Sequence, residues 1–119
     1  MDSVIPTIIA ITWLHFFADF IMQPEEMALN KHRSNKVLLQ HCAVYAAPFS
    51  LYCILDLYVG VLFAILTGVL HFVVDYITSR VNVHLLNKRR KSLFFIGVGF
   101  DQATHTTLLL LTALWLGII

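Results

Sequence analysis

Charge is scarce in this sequence. Only 13% of its 119 residues are Asp, Glu, Lys or Arg, and the formal net charge is +1. Without a domain-wide basic excess, nucleic acid is not expected as a partner. Cysteine is nearly absent: Cys42 and Cys53 stand alone. Eleven helical residues would set them about 16 Å apart, beyond disulfide reach, and no CxxC pair offers a thiolate metal site. HExxH, GxSxG and a Gly-rich phosphate loop are all missing, which argues against an HExxH intramembrane protease and against the soluble-enzyme motifs. There is no low-complexity segment and no lipidation motif. The opening MDSVIPTIIA lacks the positive leader and small-residue cleavage site of a signal peptide, so the first apolar run is expected to be retained.

What is abundant is apolar. Hydrophobic residues make up 59% of the chain, and the mean hydropathy is +0.80. A soluble domain of this size cannot hide so many large apolar side chains, so the composition is that of a membrane protein. A bilayer core of about 30 Å takes about 20 helical residues. Four runs meet that length, and the expected fold is an all-α membrane protein, a four-transmembrane-helix bundle forming one domain over residues 1–119. The spans are placed at about 4–22, 37–57, 59–79 and 97–119. Pro6 suits the first turn of span one, Pro24 stops it, and Pro48 predicts a kink in span two. Gly97 and Gly99 predict a change from an interfacial piece to span four. MQPEEMALNKHRSNK predicts a short interfacial helix starting near Pro24.

All eight Lys and Arg residues fall in two loops. Lys31, Arg33 and Lys36 lie between spans one and two; Arg80, Lys88, Arg89, Arg90 and Lys91 lie between spans three and four. The positive-inside rule makes that side cytoplasmic and puts both termini on the non-cytoplasmic side. These loops can also meet anionic headgroups. His32 and His84 sit in them and read as solvated.

Each span nevertheless carries polar residues at three- and four-residue spacing, which puts them on one helix face. Span one has Thr12, His15, Asp19 and Gln23. Span two has His41, Tyr45, Tyr52 and Asp56. Span three has Thr67, His71, Asp75 and Thr78, and span four has Asp101, His105 and Thr112. Ionisable groups are costly against lipid, so these stripes are expected to face the bundle interior. The order within them is informative. LHFFADF and LHFVVDY put His before Asp in spans that run toward the cytoplasm. DQATH puts Asp before His in a span that runs away from it. In space, all three aspartates therefore lie on the cytoplasmic side of their histidines.

Imidazoles and carboxylates at one depth suit a divalent metal: zinc first, manganese or iron otherwise, as one or two ions. His15, Asp19, His71, Asp75, Asp101 and His105 are the expected ligands. Asp101 can alternatively act as general base, and His41 and Gln102 are the expected catalytic groups on the substrate side. A His–Asp pair can also simply clamp two helices, for about 0.6–2 kcal/mol. Smaller features fit the bundle. Gly60, Ala64 and Gly68 form a small-residue row for close helix packing. Trp13 and Trp115 can anchor at interfaces. Gln23 can contact the carboxylates, and Tyr45 can orient a substrate.

HFFADFIMQP, NKHRSNKVLLQH, HFVVDYITSR and FDQATH together resemble the domain-of-unknown-function 3307 family, small bacterial and phage membrane proteins, over nearly the whole chain. The family's motif positions correspond to His15, Asp19, Gln23, Asn30, Lys31, His41, His71, Asp75, Asp101, Gln102 and His105. Thr78 departs from the lysine the resemblance implies there. The pattern is more distantly similar to membrane-bound metal-dependent hydrolases. The resemblance implies a multi-pass protein of the bacterial inner membrane. The expected function is metal-dependent hydrolysis of a membrane-surface, anionic or phosphorylated substrate, with a homo-oligomer as a compatible assembly. A proton- or metal-transport protein and a non-catalytic membrane interaction protein are the alternatives.

Overall fold

The computed structural model describes residues 3–119. Among them there is no strand. Helix α1 (Val4–Phe16) runs directly into a π turn (Phe17–Ile21). A short helix α2 (Glu25–Asn30) follows Pro24, with Glu25 and Glu26 in its first turn. Helix α3 (Asn35–Ala46) starts at Ser34, whose hydroxyl accepts from the Val37 N–H. It tightens into a 3₁₀ segment (Ala47–Ile54). Helix α4 (Leu57–Asn87) starts at Asp56, whose carboxylate accepts from the Val59 N–H at 2.9 Å. Helix α5 (Lys91–Trp115) completes the bundle.

Several of these features have a local cause. Pro48 has no N–H to continue α3, and the backbone changes to 3₁₀ beside it. In the π turn the Met22 N–H reaches back five residues to the Phe17 carbonyl. The widened turn makes two consecutive residues, Ala18 and Asp19, both face inward. The periodicity of the sequence gives no sign of this turn. Helix α5 runs unbroken through Gly97 and Gly99, which corrects the expected change of segment there. Gly97 instead lets α5 approach the Asn82 side chain of α4.

Helix α4 is the axis of the bundle. It packs against α3, the 3₁₀ segment and α5, while α1 closes against α5. The bundle is inside out compared with a water-soluble one. Its buried groups include His15, Asp19, His41, His71, Asp75, Asp101 and His105. Its exposed groups include Ile5, Trp13, Ile54 at 83% and Leu55 at 82%. Large apolar side chains in such density on the surface require a non-aqueous neighbour. Among the described residues, three helical stretches are long and apolar enough to cross a membrane: Val4–Ile21, Asn35–Ile54 and Leu57–Asn87. At 1.5 Å per residue, α4 measures roughly 46 Å, longer than a bilayer core of about 30 Å. Counted from Leu57, the residues to Tyr76 already suffice to cross such a core, and the remaining turns, which carry Arg80, extend past that length.

The interior has two halves. Ile11, Phe49, Phe63, Leu109 and Ala113 form an apolar core at the end away from the basic residues. The His/Asp cluster fills the half nearer to them. Both basic loops share that end, because Arg80 at the end of α4 donates to Asn35 at the start of α3 at 2.8 Å.

One close contact holds the 3₁₀ segment to α4. A Cβ on Gly60 would overlap the Cys53 backbone, which cannot swing aside, whereas Gly99 faces open space. Gly60→Val is expected to lower unfolding stability in detergent by about 1–3 kcal/mol. Gly99→Ala is expected to leave it equal or raise it by up to about 1 kcal/mol through helix propensity. Denaturant titration followed by circular dichroism reads both.

Candidate metal centre

The centre is assembled from four helical segments. The π turn supplies Asp19, α3 supplies His41, α4 supplies His71 and Asp75, and α5 supplies Asp101 and His105. All six are buried. The His41 and His71 Nε2 atoms face each other at 2.9 Å. Asp19 Oδ1 lies 3.2 Å from the first and 3.4 Å from the second. Asp75 Oδ2 lies 3.3 Å and 3.6 Å from the same two nitrogens. Ligands bound at 2.0–2.1 Å in a tetrahedron stand roughly 3.3–3.4 Å apart. The five distances straddle that value.

Among the described residues, two groups of three could hold a metal ion: Asp19, His41 and His71, and His71, Asp75 and His105. They share His71. A neutral imidazole has one lone pair to give, so His71 serves one ion at a time. His105 Nε2 lies 3.5 Å from Asp75 Oδ1 and 3.2 Å from Asp101 Oδ1, yet makes a hydrogen bond to neither. The Nδ1 atoms of His41 and His71 are also buried without a partner. The His71 ring is sandwiched instead, stacked on Tyr45 at 3.8 Å and on His105 at 4.0 Å between centroids.

With neutral imidazoles, the protein groups do not balance their own charge. Three carboxylates, Asp19, Asp75 and Asp101, meet one ammonium, Lys31, whose Nζ donates to Asp75 Oδ2 at 2.8 Å. With neutral imidazoles two negative charges remain, the number that one divalent cation neutralises. Buried charge of one sign without compensation is not sustainable in an apolar bundle.

His15 has a different environment from the other histidines. Gln102 donates from Nε2 to Asp101 Oδ2 at 3.0 Å and to Asp19 Oδ2 at 3.3 Å. Carboxylates only accept, so this fixes the amide orientation and turns Gln102 Oε1 toward His15 Nε2 at 3.0 Å. His15 Nε2 must then carry a proton. Its Nδ1 accepts from the Tyr45 hydroxyl at 2.8 Å. Both ring nitrogens are thereby used, and Nε2 is 4.0 Å from Asp19 Oδ2.

The expected site residues thus fall into three positions. Asp19, His71, Asp75 and His105 belong to the groups that can hold a metal, and His41 joins them. Asp101 borders them, held by the Thr78 hydroxyl and Gln102. His15 and Gln102 lie behind, ordering Asp19 and Asp101. Lys31 joins the site as well, although its place in a basic loop gives no sign of it. A long stem brings its ammonium in from the loop after α2. Thr78, a member of the span-three polar stripe and a departure from lysine, reaches Asp101 with its hydroxyl. Gln23 Oε1 is buried with no partner.

A cavity of about 160 Å³ leads to the cluster from the basic end. Asp75 and Asp101 line its inner part, and Lys31, His32, Ser79 and Asn82 line the rest. His32 accepts from the Arg33 Nε–H at 3.3 Å. Partial burial, with Arg33 and Arg80 nearby, holds its pKa below the ordinary histidine value. Directly on the opposite side of the His layer lies a cavity of about 10 Å³, lined in part by Thr67 and Thr112. That is the space of about one water. Both hydroxyls are already bonded to carbonyls of their own helices.

The His15 network predicts one tautomer. Nitrogen-15 spectra of histidine-labelled protein should show Nε2 protonated and Nδ1 accepting, with the Nδ1 signal moving in Tyr45→Phe. A protonated Nδ1 would reverse the donor order through Gln102 and both carboxylates.

Across residues 7–118 the chain matches the family model described as a protein of unknown function, DUF3307. No curated protein matches the chain, and no solved structure matches it. The similarity to metal-dependent hydrolases has no counterpart among these matches.

Proposed function

We propose a function from the site itself, because the chain belongs to the DUF3307 family, which is described as of unknown function. The reading is a metal-dependent hydrolase of the bacterial inner membrane. Its substrate is a phosphorylated or otherwise anionic molecule that arrives at the cytoplasmic surface. The observation that carries it is the convergence of Asp19, His41, His71 and Asp75 at 2.9–3.6 Å around one point. These four are the proposed ligands of a single divalent ion, with zinc the best fit to two imidazoles and two carboxylates.

A divalent ion there would supply Lewis-acid polarisation and acidify a water. The chain's own groups do the rest. Asp101 is the proposed general base, since its carboxylate borders the cluster and also lines the cavity. His105 stands between Asp101 and Asp75 and can pass a proton between them. His15 and Gln102 are positioning residues for Asp19 and Asp101. Lys31, at the cavity wall, would meet an anionic substrate with its ammonium. The four-span count, with α5 as the fourth span and both termini outside, belongs to the same proposal. It is supported by the gathering of the basic loops at one end.

Transport is less well supported. The cavity beyond the His layer holds only about 10 Å³, and the apolar side chains of Ile11, Phe49, Phe63 and Leu109 pack the interior further out, short of a far-end cavity of about 610 Å³ beside Tyr52 and Asp56. A purely structural clamp would not need two imidazole nitrogens at 2.9 Å with carboxylates on both sides.

The test uses protein purified in detergent and offered zinc, manganese or iron. One ion per chain is expected. His71→Ala and Asp75→Asn should lose it while keeping helical content. Asp101→Asn should keep the ion and lower the hydrolysis of phosphorylated lipids by about 10²–10⁴-fold. Folded wild type without stoichiometric metal would sink the proposal. Bound metal without turnover on any substrate of the panel would reduce it to a structural site.

A further inference from the structure

A lipid-facing groove between two helices has no part in the centre described above. It lies between α3 and α4 and encloses about 510 Å³, within the range of about 300–1,000 Å³ typical of ligand pockets. Leu39, Ala43 and Ala46 of α3 line one side, and Gly68, Phe72 and Val73 of α4 line the other. Its lining is almost wholly apolar. Ala43 and Ala46 fill little space, and Gly68 has no side chain to close the cleft. A Cβ there would press on Ala46 at 3.1 Å.

A guanidinium stands beyond the end of the groove, two turns past Phe72 on α4. The Phe72 ring on its wall is 6.1 Å from the Tyr76 ring, one turn further along α4. The Arg80 guanidinium covers the other side of that sequence, 3.9 Å from the Tyr76 centroid. Arg80 is fixed there by two bonds, from Nη1 to the Tyr76 carbonyl and from Nη2 to Asn35 Oδ1, both 2.8 Å. Asn35 and Lys36 are one turn before Leu39 on α3, so both helices of the groove end in polar or cationic groups at the same level. This level is where α4 extends past the length of a bilayer core. An apolar slot running into the bilayer, with an ordered arginine and a lysine at its headgroup end, has the chemistry of a phospholipid. One acyl chain fits the slot and the phosphate fits the cations.

We propose that the α3–α4 groove binds one phospholipid, with an acyl chain along Ala43 and Gly68 and its phosphate on Arg80 and Lys36. The site is separate from the His/Asp cluster and does not depend on metal there. Arg80 leaves three of its five N–H donors for the phosphate, since two are used on Tyr76 and Asn35. Ala43 is exposed in the groove and can be enlarged without disturbing the Gly68 contact.

Native mass spectrometry of the detergent-solubilised chain tests this, with dioleoyl phosphatidylglycerol and dioleoylglycerol as probes. The two share acyl chains and differ in the phosphate. One phosphatidylglycerol per chain is expected, with weaker retention of dioleoylglycerol. Arg80→Gln should weaken phosphatidylglycerol binding about tenfold and leave dioleoylglycerol unchanged. Ala43→Leu should remove both, with circular dichroism unchanged. Equal retention of the two probes, or no response to Arg80→Gln, would overturn the phosphate contact. A dimer that Ala43→Leu converts to monomer, with lipid retention unaltered, would assign the groove to a second copy of the chain and overturn the proposal.

Discussion

Two carboxylates buried against two imidazoles set the terms for this bundle. Asp19 and Asp75 approach His41 and His71 from either side, and the imidazole nitrogens are themselves in contact. In hydrocarbon such a grouping is stable only with positive charge at its centre. Much of the nearby structure serves that requirement. Lys31 folds in from a loop to neutralise part of Asp75, Gln102 bridges Asp19 and Asp101, and Tyr45 and His15 hold Gln102 in place. The π turn is the backbone's contribution, since it turns Asp19 inward beside Ala18.

The placement of charge also gives the molecule a direction. Polar groups, the cavity of about 160 Å³ and all the basic loops lie at one end. Phe49, Phe63 and Leu109 pack the interior beyond the His layer. A cluster open on one side only suits chemistry on a molecule that comes and goes by the same opening. The exterior continues the theme on a second surface, where Arg80 stands beyond the end of the α3–α4 groove on the same level.

Much of this was legible in the sequence because hydropathy and helical spacing are strong, local signals. The His/Asp stripes at 15/19, 71/75 and 101/105 are inward-facing, and Pro24 marks a real helix boundary. The reversal of order in DQATH already placed the aspartates toward the basic end, where Lys31 and Thr78 meet them. Other features depend on tertiary contact and could not be read from one strand of sequence. A π turn leaves no periodic trace in five residues. The separation of His15 from the ligand groups rests on Gln102, which comes from the opposite end of the chain. Lys31 looked like a topology signal because only a folded α2 brings its side chain over Asp75. Gly97 read as a break, yet the helix passes straight through it because Asn82 needs the room. Helix α5 shows the limit of hydropathy: its polar face weakens the apolar signal in a helix that the bundle needs.

The central claim is that one divalent ion sits among Asp19, His41, His71 and Asp75. X-ray absorption spectroscopy of zinc-loaded protein tests it most directly. The account predicts about four nitrogen and oxygen ligands at 2.0–2.1 Å, no sulfur, and an imidazole signal for two histidines that falls to one in His41→Ala. A sulfur shell, or an imidazole signal unchanged in His41→Ala and reduced in His15→Ala, would contradict it.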